Sequence, residues 1–274
     1  DYVTIATTGN ATDFGDLSVG KTGPFGCASS TVGLIAGGAN GGSSDIIEKI
    51  IISSKGNSQD FGDLVAVRNK GIGTTNSRKA IFAGGNPATN VIEEILYTTE
   101  GFTTDFGDLS AGKAGLGAGS NAHGGLNDGY QGTRIAPIPT GGGVGQRGLR
   151  LGGTNNSFTS QTDIDFFNIS TTGNASRFGD LNTATSTEAR GSNGTIALTA
   201  SDISASANHI SSILFASEGN ASDFGDITVA RGRVGGNSNN TRAIFGGGEN
   251  PSKSDVIDYI TIATIGNATD FGNL

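Results

Sequence analysis

The sequence predicts an all-β fold, a β-propeller of four-stranded antiparallel blades, from two observations. A phrase close to Asp-Phe-Gly-Asp-Leu occurs six times, at intervals of 47, 45, 72, 46 and 47 residues. A period of forty-odd residues indicates one supersecondary unit used repeatedly, and this length is typical of propeller blades. Glycine accounts for 47 of the 274 residues and proline for 5, which favours an ordered fold with many tight turns. The phenylalanines of the six copies are Phe14, Phe61, Phe106, Phe178, Phe224 and Phe271.

The last repeat unit shows the predicted order of strands. Residues 228–238 form a segment with scattered glycines, and residues 241–245 form a short apolar strand that ends in a glycine turn. Residues 256–264 are rich in β-branched residues and apolar on both faces, as in a strand covered on both sides. After a Gly-Asn turn, residues 270–272 form a shorter strand. Four short strands per unit predict a propeller, with a β-solenoid as the alternative.

The number of blades is predicted from incomplete copies of the unit. The chain opens with residues 1–17, a near copy of residues 258–274, so it has six copies of the second half-unit and five of the first. We expect the partner strands of residues 1–17 to lie outside this sequence, because unpaired edges invite aggregation. A complete ring then has six blades, with five or seven, or an open array along a filament, as alternatives. The single domain is divided into a partial blade, 1–17, and repeats over about 18–64, 65–109, 110–181, 182–227 and 228–274.

The unit over residues 110–181 carries a glycine-rich insertion at about 120–148. Long insertions in repeat proteins map to loops on one face and often carry the contacts with a partner. Tyrosine and arginine are favoured at the energetic centres of interfaces. The alternative is a tolerated surface insertion or a packing plug. The candidate binding residues are His123, Tyr130, Arg134, Arg147 and Arg150.

The recurring Asp-Phe-Gly turn is interpreted as a structural element. Asp-Phe-Gly also occurs in the magnesium site of protein kinases, but here it is repeated without the other kinase motifs. We expect each phenylalanine to pack between neighbouring sheets, the glycine to permit a bend and the aspartates to cap the turn. The asparagine of the preceding turn recurs as well and is interpreted as a turn residue. It is found at Asn10, Asn174, Asn220 and Asn267.

Composition argues against several functions. A net charge of −8 argues against nucleic-acid binding, and no apolar run approaches the ~20 residues that span a bilayer. The chain has one cysteine and two histidines, so we expect no metal site and no cofactor. Two histidines are too few for a copper oxidase, and the absence of tryptophan excludes the sialidase repeat turns. We therefore expect a protein that is not an enzyme.

Two resemblances extend the prediction. The double glycine Gly247-Gly248, followed by Tyr259 and Phe271, resembles the kelch motif, with phenylalanine in place of the usual tryptophan. A basic residue also recurs shortly after the aromatic turn, at Lys21, Arg68, Lys113 and Arg231. The tracts over residues 258–264 and 266–272 are similar to repeats in virion structural proteins of large tailed phages, including those of marine cyanobacteria. This similarity implies an exposed component of a virus particle.

The predicted function is a non-enzymatic structural or binding component of a virus particle, such as a phage fibre, tail or decoration protein. Its expected partners are copies of itself or other virion proteins, with host-surface glycans as a candidate ligand. The expected location is the virion or the extracellular space. One alternative is a subunit of an extracellular filament or surface layer, and a second is a propeller enzyme that acts on polysaccharides.

Overall fold

The computed structural model describes residues 1–122, 146–157, 159–186, 189–200 and 208–274. Within these ranges the regular secondary structure consists of twenty-one β-strands, and no helix occurs. The strands form a β-propeller of four-stranded antiparallel blades, which confirms the predicted fold class. The blades number five, not the six that we expected, because residues 1–17 form one isolated bridge and no blade of their own.

The blades follow one another in chain order. The first comprises β1 (Phe25–Ala28), β2 (Val32–Ala36), β3 (Ile46–Ile51) and β4 (Gln59–Asp63). The second comprises β5 (Ile72–Thr75), β6 (Lys79–Ala83), β7 (Thr89–Leu96) and β9 (Thr104–Lys113), while the short β8 (Gly101–Phe102) pairs with β4 in parallel. The third comprises β10 (Gly117–Ser120), β11 (Arg147–Leu151), β12 (Gln161–Asn168) and β13 (Ser176–Thr185). The fourth comprises β14 (Ala189–Ser192), β15 (Ile196–Ala200), β16 (His209–Leu214) and β17 (Ser222–Asp226). The fifth comprises β18 (Gly235–Ser238), β19 (Arg242–Gly246), β20 (Val256–Thr261) and β21 (Thr269–Asn273).

The hydrophobic core lies between neighbouring blades. Leu34 and Phe61 of the first blade pack against Phe82 and Ile95 of the second. Because successive side chains of a strand point to opposite faces, the two middle strands of a blade supply apolar residues to both neighbours. The phenylalanines of the repeated turn are 1–4% exposed in all five blades, whereas Phe14 is half-buried.

Main-chain hydrogen bonds join each blade to the next at the repeated turn. The amide of Gly219 donates to the carbonyl oxygen of Phe178 at 3.0 Å, and the amide of Gly266 donates to that of Phe224 at 2.9 Å. The turn asparagine adds a second link, since Asn267 Oδ1 accepts a hydrogen bond from the amide of Asp226 at 3.1 Å. The recurring asparagines therefore hold neighbouring blades together, a role that the sequence did not indicate.

Candidate functional site

Four of the five blades contain a buried or largely buried ion pair between the recurring basic residue and an acid of the third strand. In each blade the pairing of the third strand with the outer strand contains a register irregularity. Such irregularities re-aim side chains. The pairs are Lys21–Glu48, Arg68–Glu93, Lys113–Asp163 and Arg231–Asp258. The recurring basic residues are thus used inside the blades.

Arg231 shows how such a pair is satisfied. Its Nη2 lies 2.8 Å from Asp258 Oδ2. Its Nε donates to the carbonyl oxygen of Gly247 at 2.7 Å, and its Nη1 donates to that of Val229 at 3.1 Å. The guanidinium therefore ties the double-glycine turn to the third strand and to the segment that enters the blade.

The fourth blade replaces the ion pair by neutral groups. Thr185 stands seven residues after Phe178, where the other blades carry lysine or arginine, and Ser211 stands at the position of the acid. Both side chains are buried. The repeat therefore folds with either a charged pair or a neutral pair at these two positions.

The Lys21–Glu48 pair makes the stability of the fold vary with pH in the acid range. Burial alone raises the pKa of Glu48, but hydrogen bonds from Lys21, Ser18 and Ser58 outweigh it and lower the pKa from 4.5 to about 2. A carboxylate with a depressed folded-state pKa stabilises the fold above its unfolded-state pKa and loses this effect as the pH falls. This contribution is therefore present above about pH 4.5 and disappears as the pH falls towards 2.

We expect Glu48→Gln to lower the free energy of unfolding at pH 7 by about 2–3 kcal/mol. The difference from the wild type should shrink between pH 4.5 and pH 2, because the unfolded chain binds a proton at Glu48 near pH 4.5, whereas the folded chain binds it only near pH 2. Urea unfolding followed by circular dichroism at several pH values measures this difference. A gap that stays constant down to pH 2 would show that the Glu48 charge contributes nothing to the pH dependence.

The third blade has a larger charge cluster that includes one predicted binding residue. Arg150 is fully buried, and its Nη2 lies 2.6 Å from Asp163 Oδ2 and also contacts Asp165. Lys113 Nζ lies 3.0 Å from Asp163 Oδ1. Burial raises the pKa of Asp163, but Arg150 and Lys113 outweigh this effect and lower it. The Arg150 guanidinium is thus occupied inside the blade and does not face solvent.

Of the other four predicted binding residues, the described part of the chain includes Arg147 alone. Arg147 begins β11, its guanidinium lies 5.3 Å from the ring centre of Phe166, and its Nη1 donates to the carbonyl oxygen of Phe215. His123, Tyr130 and Arg134 lie outside the described residues. Binding by the insertion stays a prediction.

The best-formed candidate site is the central channel of the propeller. The first strands of successive blades contact one another from β1 through β5, β10 and β14 to β18. They surround a cavity of about 610 Å³. Its described wall contains glycine backbone, small polar side chains and a few apolar residues, with neither a carboxylate nor an imidazole among them. The channel therefore offers hydrogen bonds and little negative charge.

A series of hydroxyl groups fastens the channel wall. The last residues of β5, β10, β14 and β18 are Thr75, Ser120, Ser192 and Ser238. Ser120 Oγ donates to the carbonyl oxygen of Thr75 at 2.8 Å, Ser192 Oγ to that of Ser120 at 3.2 Å, and Ser238 Oγ to that of Ser192 at 2.8 Å. In the first blade Ala28 takes this position, so the series does not continue there.

Two lining residues carry ionisable groups. Arg190 occupies a position that is glycine in three other blades, at Gly26, Gly73 and Gly236, and its guanidinium lies against Gly117. Burial raises the pKa of the Cys27 thiol to about 12, although the Tyr97 hydroxyl, which donates to Sγ, lowers it. The thiol therefore stays protonated near neutral pH and is a weak nucleophile.

Comparisons with known proteins do not assign this chain to a family. The sequence matches no protein-family model, and no curated protein matches it. The resemblances to kelch repeats and to phage virion proteins therefore stay predictions. Within the described ranges, no group of three or more His, Cys, Asp and Glu side chains could hold a metal ion. No helix in those ranges is long and apolar enough to cross a membrane.

Proposed function

We propose that the protein is a non-enzymatic structural or binding propeller of a virus particle, of the fibre, tail or decoration type. The observation that carries the non-enzymatic part is the described channel wall, which offers neutral side chains, main-chain groups and Arg190. General acid–base catalysis needs a positioned carboxylate or imidazole. Binding needs only hydrogen-bonding groups held at fixed places on a rigid scaffold. The virion part is supported by the resemblance of the repeat tracts to phage repeats.

The candidate ligand is a host-surface glycan. Sugar hydroxyls pair with hydroxyl and main-chain groups, and an acidic sugar would pair with the Arg190 guanidinium. The expected partners in assembly are copies of this protein or other virion proteins. Several discs on one particle would raise the total affinity through avidity, even if each channel binds weakly.

We expect the purified protein to bind acidic host-surface polysaccharides without cleaving them. Arg190→Gly should weaken this binding at least about tenfold, because a charge-assisted hydrogen bond is lost. Glycine is already present at this position in three other blades, so the main chain of this strand accepts the substitution. A glycan array followed by titration calorimetry measures binding, and an assay for reducing ends measures cleavage.

Other outcomes separate the alternatives. Multiple turnovers that disappear in a His123→Ala variant would support the polysaccharide-acting enzyme and contradict the proposal. Gold-labelled antibody against the protein should mark discs on capsids or tails in electron micrographs. Labelling along continuous helical fibres would instead support the filament or surface-layer subunit.

A further inference from the structure

Residues 1–17 occupy a place between the fifth and first blades. The amide of Gly9 donates to the carbonyl oxygen of Phe271 at 2.9 Å, as the turn glycines do elsewhere. On the other side, the amide of Gly56 donates to the carbonyl oxygen of Phe14 at 2.9 Å. Tyr2 pairs with Thr12 in the register that joins β20 to β21. This segment therefore corresponds to the two outer strands of a blade.

On the side of residues 1–17 that faces the central channel, the structure describes no strand. A groove of about 520 Å³ lies at this place. Ile52 and Leu274 line it and are 44% and 58% exposed. The residues at the position of Ile52 in the last three blades, Ile169, Phe215 and Ile262, are 0–1% exposed. The residues at the position of Leu274, which are Leu64, Leu109, Leu181 and Ile227, are 2–5% exposed. The groove therefore has the form of an interface between blades at which these apolar side chains remain exposed.

The groove also presents hydrogen-bonding and charged groups that the two inner strands of a blade contact elsewhere in the propeller. The hydroxyl series of the channel ends at Ser238 in the fifth blade, and Ala28 and Asn237 line both the channel and the groove. Asp1 stands at the position of Asp258, whose partner Arg231 comes from the segment that enters a blade. Asp1 is exposed at the groove. A pair of inner strands with a basic residue and a serine at the end of its first strand would pair with Asp1 and continue the hydroxyl series from Ser238.

We propose that this groove binds a β-hairpin with the inner-strand pattern of the repeat itself. That pattern is a basic residue, a short Gly/Ser strand, a tight turn, and an apolar strand that ends in a double glycine, as in residues 228–257. The hairpin comes from a polypeptide segment other than residues 1–274, and a second copy of this chain is the competing occupant. Main-chain pairing along residues 2–5 gives affinity, and the alternating apolar side chains give specificity.

The probe is a synthetic peptide with the sequence of residues 228–257, titrated into the purified 274-residue protein. We expect one peptide per protein with a dissociation constant of about 1–10 μM, and slower amide exchange at residues 2–5 when the peptide is bound. Ile52→Asp should weaken binding at least about tenfold, because it places a charge against the apolar strand. A peptide with the substitution Phe245→Asp should bind equally poorly.

The matched control is Leu214→Asp, since Leu214 is 56% exposed but does not line the groove. This variant should bind the peptide like the wild type. Absence of binding, or equal binding by the Ile52→Asp and Leu214→Asp variants, would overturn the proposal. Dimerisation without peptide, abolished by Ile52→Asp in sedimentation experiments, would assign the groove to a second copy and also overturn it. None of these outcomes depends on glycan binding, so the two proposals are tested separately.

Discussion

Replacing Gly225 with alanine is expected to destabilise the protein by about 4 kcal/mol. Gly225 has φ of +149°, a conformation that residues with a Cβ rarely adopt. An added Cβ would overlap the carbonyl oxygen of Gly266 and lie 2.5 Å from the carbonyl carbon. That carbonyl belongs to the next blade, and the amide of Gly266 is already bonded to Phe224. The two blades would have to separate, which would also expose the buried Phe224.

Urea unfolding followed by far-ultraviolet circular dichroism measures the effect of Gly225→Ala. The matched control is Gly20→Ala, because a Cβ on Gly20 would meet no atom within 4 Å. This control should stay within about 0.5 kcal/mol of the wild type. If Gly225→Ala lowered the free energy of unfolding as little as Gly20→Ala, the close approach of the two main chains would not be what requires glycine at position 225.

Breaking the Arg231–Asp258 pair on one side is expected to cost about 3–5 kcal/mol. Both side chains are at most 1% exposed, so Arg231→Thr leaves a buried carboxylate and Asp258→Ser leaves a buried guanidinium. The double variant reproduces the pair that the fourth blade carries, Thr185 and Ser211. It leaves no unpaired charge and should lose much less stability than the sum of the single variants.

A double-mutant cycle on unfolding free energies tests this expectation. We expect an interaction energy of about 2–3 kcal/mol between the two positions. Additive losses would mean that the two charges act independently and that the neutral pair of the fourth blade depends on other changes around it.

Much of the fold follows from the repeat period. The six phenylalanine turns and the apolar third strands predict four-stranded blades, since each face of such a strand needs a neighbour. The number of blades does not follow, because residues 1–17 resemble the end of a unit whether or not the other strands are present. The ring in the structure therefore has five blades and one groove.

The candidate sites were harder to predict, because their groups meet across distant parts of the chain. The basic residues such as Arg231 were visible in the sequence, but their acid partners were not recognised. The signal was present, since Glu48, Glu93 and Asp258 recur in phase with them. The sequence predicts that the glycine of the Asp-Phe-Gly turn permits a bend. The structure adds a second requirement for glycine at Gly225, because the carbonyl group of Gly266 in the next blade leaves no room for a Cβ atom.

Each ion pair joins the third strand of a blade to a basic residue that precedes the first strand of that blade. The hydroxyl and turn contacts described here join immediate neighbours. A unit therefore carries the means to recognise the unit beside it and no information about how many units the molecule contains. Duplication or loss of one unit in the gene would leave every local contact intact and would change only the angle through which the ring must close. The diameter of the disc can consequently evolve independently of the chemistry that stabilises each unit.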